Sequence, residues 1–279
     1  MLQVKVMSAQ DFAFAVELAN TMDWNMEEAD FQFNQMLEPK GCLVLSEGAE
    51  RIGIATCISF GKVGWFGNLI VKKEHRGKGA GSWLVEHAID YLRGKGVETV
   101  GLYAYENLKG FYGKLGFKQD VDFTVLHNEN VATKLPDSFP KAERPDLSAL
   151  VKFDRQFFGG DRKRLLEAIL QQKGNLCYYS SNGEEINGYA IAKMYEKMAE
   201  VGPLICKPNH EDTAQILLES VLSNLQGLYV SLCLPKQQSS LMRFLESAGF
   251  KEDFRLSRMF LGSPNVQDWI YVAESLERG

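Results

Sequence analysis

The chain has 279 residues, of which 45% are hydrophobic and 24% charged, which is ordinary for a globular protein long enough to form two domains. The formal net charge of -5 and the lack of a basic block exclude a general attraction for nucleic-acid phosphates, so we expect no nucleic-acid partner. No apolar run approaches the roughly 18 residues of a membrane helix, and the first 20 residues lack the pattern of a signal peptide, which predicts a cytoplasmic protein without membrane contact.

The cysteines are odd in number, scattered, and mostly embedded in apolar runs: Cys42, Cys57, Cys177, Cys206 and Cys233. This pattern suggests neither a disulfide framework nor a zinc site, and the four histidines are equally dispersed. We therefore predict buried cysteines that act as small hydrophobic side chains, and no metal.

The first half of the chain predicts alternating strands and helices. Hydrophobic patterning gives a strand over 2–7, helices over 8–22 and 24–37, three strands within 41–71, a helix after residue 80, a strand over 97–105, a short helix over 106–115 and a last strand over 116–127. In the helix after residue 80, apolar residues recur at three- and four-residue spacing, which is typical of an amphipathic helix. This order of elements indicates an α/β sheet domain.

The second half repeats the first. Residues 198–250 follow the same order of strand, loop, helix, strand, helix and Gly-Phe as residues 63–117. The likeness indicates a duplication, although two ordinary α/β units can also resemble each other by accident. The polar, proline-bearing stretch 134–145 is the expected join, so the predicted domains are 1–136 and 137–279.

A glycine-rich stretch, "RGKGAG" at residues 76–81, lies between a predicted strand and a predicted helix. Such a turn leaves backbone NH groups at the helix N-terminus, where they favour a phosphate group, and lysine and arginine side chains lie nearby. The spacing fits neither a Walker motif nor a dinucleotide fingerprint, since Ser82 stands where the latter needs glycine. A flexible turn without a ligand is the other interpretation.

"RGKGAG" resembles the acetyl-CoA signature of the GNAT superfamily of N-acetyltransferases, and "FYGKLGF" at 111–117 resembles the downstream motif of that family. Together with "DWN" at 23–25 and "FDRQFFGGDRKRLL" at 153–166, these motifs resemble a subgroup in which an N-terminal GNAT domain is fused to a degenerate second copy. The resemblance implies an α/β fold of tandem GNAT-like domains, each with a mixed, mostly antiparallel sheet flanked by helices.

The resemblance also implies where acetyl-CoA binds. Its pantetheine arm would enter a gap between the strands that end near Val71 and Ala104, and a backbone NH at Ile70 or Val71 would polarise the thioester carbonyl. Asn107 would contact CoA, although Gly110 replaces the alanine that is commoner in the motif. The pyrophosphate would be bound by six backbone amides, those of Arg76, Gly77, Lys78, Gly79, Ala80 and Gly81.

Tyr112 stands where the family places a hydroxyl near the CoA sulfur, which implies a general acid; the alternative is a tyrosine packed on the sheet. Glu106 is our candidate general base, and a water chain could replace it. Other side chains have the right chemistry for a base but are also typical of solvated helix faces: Glu27, Glu28, Asp30 and His75.

The acceptor amine is expected from the opposite side of the sheet, near Trp24, Asn25 and Asp30, although Trp24 could equally be a core residue. Asp154 and Arg162 could reach the same site, but we favour an ion pair that joins the domains. In the second half, "NHEDTAQ" at 209–215 has acidic residues and no glycine where the first half has its loop, and Leu245 replaces Tyr112. We expect no acetyl-CoA there.

The predicted reaction is direct acetyl transfer from acetyl-CoA to a primary amine, with no metal and no covalent enzyme intermediate. The alternative is a non-catalytic acyl-CoA-binding or regulatory protein that has kept the loop. Neither the identity of the amine nor the oligomeric state can be read from the sequence.

Overall fold

The computed structural model describes residues 1–131, 146–183, 185–264 and 269–279, and in these ranges twelve strands form one sheet. The strands are β1 (Leu2–Val6), β2 (Cys42–Glu47), β3 (Glu50–Phe60), β4 (Val63–Val71), β5 (Thr99–Tyr105), β6 (Lys118–Asn128), β7 (Leu176–Asn182), β8 (Glu185–Met194), β9 (Met198–Cys206), β10 (Tyr229–Pro235), β11 (Lys251–Leu261) and β12 (Ile270–Val272). The helices are α1 (Phe12–Asn20), α2 (Glu28–Leu37), α3 (Ala80–Gly94), α4 (Lys109–Lys114), α5 (Leu147–Phe158), α6 (Lys163–Gln171), α7 (Glu211–Leu222) and α8 (Ser239–Ser247).

The two halves of the sequence share this sheet by exchanging a strand. The strand order is β1-β2-β3-β4-β5-β11-β6-β10-β9-β8-β7, and β12 pairs with β9. Strand β11, from the second half, lies antiparallel between β5 and β6, while β6 pairs with β10. Each half therefore depends on the other to complete its part of the sheet.

Helices cover both faces of the sheet. Helices α1, α2, α5 and α6 pack on what we call the first face, and α3, α4, α7 and α8 pack on the second face. The side chains of β8 point alternately to the two faces. Tyr189 and Ile191 pack in the core under α5 and α6, whereas Ala190 and Ala192 pack in the core under α7.

The predicted fold class is confirmed, because the sheet is mixed and mostly antiparallel with helices on both faces. Among the described strands, only the pairs β4–β5 and β9–β10 are parallel. The order of helices and strands in 63–117 recurs in 198–250, as the sequence predicted. The predicted join at 134–145 lies outside the described residues, so the boundary between residues 136 and 137 stays a prediction.

Three predicted helices begin later than expected, and two of them, α1 and α4, follow a short 3-10 turn. Helix α2 starts at Glu28, because Glu27 caps it: the Glu27 backbone NH donates to the Asp30 carboxylate at 2.8 Å. Asp23 and Asn25 have φ values of 58° and 50° and belong to the preceding loop rather than to the helix.

All five cysteines are buried, in agreement with the sequence analysis. Within the described ranges, every helix is too short or too polar to cross a bilayer.

Candidate active site

The central feature of the first half is a gap between two parallel strands. Strands β4 and β5 pair only from Val63 and Thr99 to Trp65 and Gly101, and beyond this point the described chain has no ladder between them. The strands separate because β4 carries a bulge: its register with β3 shifts, and Asn68 adopts a φ of 51°. We call the interval between the unpaired ends of β4 and β5 the gap.

The glycine loop lies at the β4 side of this gap. Gly77 and Gly79 have φ values of 75° and 87°, and a Cβ atom at either position would meet nothing within 4 Å. Backbone conformation rather than crowding therefore requires glycine at both positions. Helix α3 follows directly and has no side-chain cap at Gly79. Its first NH groups are left for a ligand or solvent, at the positive end of a 15-residue helix.

Two basic side chains connect the loop to its surroundings. Arg76 donates from Nε to the carbonyl oxygen of Val71 at 2.7 Å, and Lys78 donates from Nζ to the carbonyl oxygen of Glu74 at 3.0 Å.

The direction of the backbone NH groups at the end of β4 follows from one hydrogen bond. The Lys72 NH donates to the carbonyl oxygen of Ile52 on β3 at 2.8 Å. Since successive NH groups of a strand alternate in direction, the NH of Val71 points away from β3 and into the gap.

His75 lies beside the loop but is held by carboxylates of the β2–β3 hairpin. Its Nδ1 lies 3.0 Å from Glu47, and its Nε2 lies 3.6 Å from Glu50. Glu50, Glu74 and His75 bring possible metal-ligand atoms within 4.8 Å of one another. Glu50 already pairs with Lys72 at 2.7 Å, so this exposed group is partly neutralised without a metal.

Tyr112 lies on α4, on the second face, next to the glycine loop. It is 5% exposed, and its ring packs edge-on against Phe111 and Phe117. The Phe111 ring also lies against the first turn of α3, since a Cβ atom at Gly81 would be 3.4 Å from it. Burial raises the pKa of Tyr112, and its hydroxyl forms no hydrogen bond with another described residue. The hydroxyl is thus protonated at neutral pH.

Glu106 and Asn107 lie in a 3-10 turn that follows β5. The Glu106 carboxylate pairs with Lys109 at 2.7 Å and accepts a long hydrogen bond of 3.4 Å from Ser257 of β11. Its side chain is 52% exposed, and Asn107 is also exposed. Both residues lie at the β5 end of the gap, and Glu106 already has a cationic partner.

On the first face, Trp24 connects the loop before α2 to the end of β5. Its Nε1 donates to the Tyr105 hydroxyl at 3.1 Å, and the Tyr105 ring lies 5.5 Å from that of Phe254 on β11. Asn25 is exposed beside Trp24, and Asp30 is half-buried on the first turn of α2. These aromatic rings form a wall on the side of the sheet from which the acceptor was predicted to enter.

Asp154 and Arg162 form a buried ion pair. Arg162 donates from Nη2 and Nε to the two Asp154 oxygens at 2.6 and 3.1 Å, and the Tyr189 hydroxyl donates to Asp154 at 2.5 Å. Arg162 also donates to the carbonyl oxygen of Gly279 at 2.7 Å and lies over the Phe158 ring. Burial alone would lower the pKa of Arg162, but the Asp154 charge raises it well above its usual value. The described contacts join Asp154 to the second-half core rather than to the predicted acceptor residues.

In the second half, the corresponding gap is filled by the chain itself. Strands β9 and β10 pair from Met198 and Tyr229 to Val201 and Leu232, and then β12 pairs with the remainder of β9. The backbone NH of Ala273, directly after β12, donates to Cys233 of β10 at 2.8 Å. The sequence analysis missed β12; its only local signal is the short apolar run "WIYVA" at 269–273.

Residues 273–279, which we call the crossing segment, were also missed. They contain a buried carboxylate, Glu274, which pairs with Lys193 at 2.7 Å and with Arg278 at 3.0 Å. Lys193 also pairs with Glu200 at 2.7 Å. Arg278 also donates to the Asn34 side-chain oxygen of α2 at 3.3 Å, so the segment links this charge network of the second half to the first face of the first half.

Comparison with known families gives two matches. The model of the acetyltransferase (GNAT) family matches residues 9–117, and a second model, an acetyltransferase (GNAT) domain, matches residues 150–270. The two matches leave out only the ends of the chain and the region between its halves.

Individual relatives extend over the whole chain. The holothin acyltransferase of Pseudoalteromonas sp. (strain SANK 73390) is 22% identical over 281 residues, covering 99% of this chain and 94% of the relative. A candidate acetyltransferase from Pyrococcus horikoshii has a similar crystal structure, with a TM-score of 0.83 at 20% identity, covering 100% of this chain and 96% of that one. A tandem GNAT protein from the clavulanic acid biosynthesis pathway has a TM-score of 0.62 at 14% identity, covering 94% and 98%.

Proposed function

Because this chain belongs to the GNAT superfamily and is an acyltransferase with an N-terminal GNAT domain and a C-terminal GNAT-like domain, we propose that it transfers an acetyl group from acetyl-CoA directly to a primary amine. The observation that carries the proposal is the glycine loop at the N-terminus of α3, beside the gap between β4 and β5. A backbone anion site next to a gap between two strands suits a ligand with a pyrophosphate and a long thiol arm.

In this proposal the loop amides bind the pyrophosphate. They belong to Arg76, Gly77, Lys78, Gly79, Ala80 and Gly81. The pantetheine arm lies in the gap, and Asn107 contacts CoA from the β5 side. Of the two candidates for polarising the thioester carbonyl, Val71 is favoured over Ile70, because its NH points into the gap.

The chemistry then needs two proton transfers. The amine nitrogen attacks the thioester carbon from the first face, the new C–N bond forms and the C–S bond breaks. Tyr112 donates its hydroxyl proton to the departing thiolate, a role supported by its position next to the glycine loop and by a hydroxyl that has no hydrogen-bond partner among the described residues. Glu106 is our proposed base for the amine proton. A water chain is the alternative, because the Glu106 carboxylate already forms an ion pair with Lys109.

We expect the Tyr112→Phe variant to lose about 100-fold in kcat while it binds acetyl-CoA as tightly as the wild type, because it keeps the ring packing and loses only the proton donor. Initial rates of CoA release and calorimetric titration measure the two quantities. Tyr91→Phe is the control, since it removes a hydroxyl that bonds Glu38, about 18 Å along α3 from Gly79. Unchanged turnover in Tyr112→Phe would remove Tyr112 from the mechanism.

We also expect one acetyl-CoA site per chain. In the second half, β12 occupies the gap beside β9, and α7 begins after His210 with Glu211 and Asp212, whose charges repel phosphate. Calorimetric titration with acetyl-CoA measures the stoichiometry. Two sites would contradict our interpretation of the second half, and no binding at all would refute the acetyltransferase proposal. The cytoplasmic location stays a prediction from the sequence.

A further inference from the structure

Helix α3 presents a large exposed aromatic side chain one turn after the glycine loop. Trp83 is 41% exposed, although tryptophan is on average among the more buried residue types. Its backbone NH donates to the carbonyl oxygen of Gly79 at 3.0 Å, so Trp83 lies on the same side of the helix as Gly79, about 6 Å further along the axis. Helical side chains point back towards the N-terminus, which directs the indole towards the loop.

The indole takes no part in the packing of α3 on its neighbours. The buried side chains of the helix, among them Leu84 and Ala88, face the sheet. Helix α4 lies on another side, because the Phe111 ring is 3.4 Å from the position of a Cβ atom at Gly81. Trp83 follows Gly81 by two residues, which is about 200° around the helix. The indole therefore lies on the side of α3 turned away from α4 and from the gap.

A second ring holds the indole in place. The centroids of the Trp83 and His87 rings are 4.8 Å apart, with an interplanar angle of 56°. His87 Nδ1 lies 3.0 Å from the carbonyl oxygen of Trp83, and since a carbonyl only accepts, Nδ1 carries the proton of this hydrogen bond. The bond fixes the imidazole beside the indole, much of whose surface stays exposed.

Positive charge near the loop is available for phosphate groups. Lys73 and Lys78 are exposed, and neither pairs with a carboxylate in the part of the chain that the structure describes, since Lys78 donates to the carbonyl oxygen of Glu74. A nucleotide that binds beside the loop would thus find unpaired cations as well as backbone NH groups. The charge and the flat apolar ring together suit a phosphorylated nucleoside rather than a purely apolar ligand.

We propose that Trp83 stacks on the adenine ring of acetyl-CoA, so that α3 binds the nucleotide end of the cosubstrate as well as its pyrophosphate. The inference rests on the proposed acetyl transfer. The pyrophosphate joins the pantetheine arm to the adenosine, so an arm that enters the gap leaves the adenosine to extend from the loop in another direction. Trp83 offers a flat surface on the side of α3 away from the gap. Stacking of a base on an exposed aromatic ring is tolerant of its surroundings and gains affinity without a deep pocket.

Calorimetric titration of the wild type and two variants tests the proposal. The ligands are CoA and 4′-phosphopantetheine, which has the thiol arm and one phosphate but no adenosine. Trp83→Leu keeps an apolar, helix-forming side chain without a flat ring, whereas Trp83→Phe keeps a ring. We expect Trp83→Leu to bind CoA at least about 5-fold more weakly and 4′-phosphopantetheine as tightly as the wild type. Trp83→Phe should bind CoA more nearly like the wild type than like Trp83→Leu.

Three results with these variants would overturn the inference. The first is a folded Trp83→Leu protein with unchanged CoA affinity, folding being checked by its melting temperature; a change in its oligomeric state would then mean that a second copy covers the indole. The second is an equal loss for both ligands, because the indole would then act on the loop rather than on the base. The third is a Trp83→Phe protein as weak as Trp83→Leu.

Further arms keep the test decisive. If Trp83→Leu does not fold, Trp83→Gln replaces it, and if 4′-phosphopantetheine binds too weakly to titrate, the comparison of the Leu and Phe variants with CoA decides. Wild-type protein that binds adenosine 3′,5′-bisphosphate as tightly as CoA would indicate a site for a free nucleotide and overturn the inference. CoA binding that is indifferent to Trp83 refutes only this inference, whereas wild-type protein that binds neither CoA nor acetyl-CoA refutes the proposed function.

Discussion

The Gly79→Glu variant is expected to lose at least about 100-fold in affinity for acetyl-CoA, which corresponds to about 3 kcal/mol. Two effects add up. Gly79 has a φ of 87°, where a side chain costs about 1–2 kcal/mol, so the loop would change its conformation. A carboxylate at the N-terminus of α3 would also occupy and repel the position of the phosphates. Calorimetric titration measures the loss.

Gly61→Glu is the matched control for this variant. Gly61 has a φ of 86°, and a Cβ atom there also meets nothing within 4 Å, so the backbone cost and the added charge are the same. It lies in the β3–β4 turn, at the other end of β4 and roughly 30 Å from the loop. Equal affinities in the two variants would show that the loop does not bind the pyrophosphate.

The Glu274→Gln variant should lose about 3–5 kcal/mol of unfolding free energy, because it leaves Lys193 and Arg278 buried without their shared carboxylate. Urea unfolding at neutral pH measures the change. Glu252→Gln, whose ion pair with Arg255 is exposed, should cost about 1 kcal/mol or less. Equal losses in the two variants would show that the buried network contributes no more than a surface pair.

Acid should reproduce part of this loss in the wild type. Burial alone would raise the pKa of Glu274, but the charges of Arg278 and Lys193 outweigh it and lower the pKa from 4.5 to about 2. A carboxyl group with a lowered folded-state pKa contributes its full stability above pH 4.5 and loses it as the pH falls towards 2. The difference in unfolding free energy between wild type and Glu274→Gln should be constant from pH 5 to 7 and shrink below pH 4.5.

Local periodicity predicted the order of elements because each element carries its own signal. Apolar spacing identified α3, and alternation identified β3 and β4. The exchange of β6 and β11 has no such signal. Both strands follow a Gly-Phe pair and alternate in the same way, so the pattern does not determine which of them lies beside β5.

In the candidate site, too, local features could be predicted from the sequence, whereas features that depend on tertiary contacts could not. The glycines of the loop could be identified because their requirement is local, and Gly77 and Gly79 indeed adopt positive φ. The crossing segment reads as "AESLERG", which resembles a solvated polar stretch. Its charges are buried because their partners, Lys193 and Asn34, come from distant parts of the chain. Such pairings depend on the tertiary fold and leave no trace in the spacing of residues.

The exchanged strand also affects how the protein is made. Strand β5 is complete at Tyr105, but its neighbour β11 begins only at Lys251. At about 5–20 residues per second, a ribosome needs roughly 7–30 s to synthesise the intervening residues, and during this time β5 lacks its native neighbour and has an edge that another strand can join. A nascent chain released before residue 251 carries the complete glycine loop but lacks the strand that covers this edge. We therefore expect premature termination to yield a fragment that is prone to aggregate.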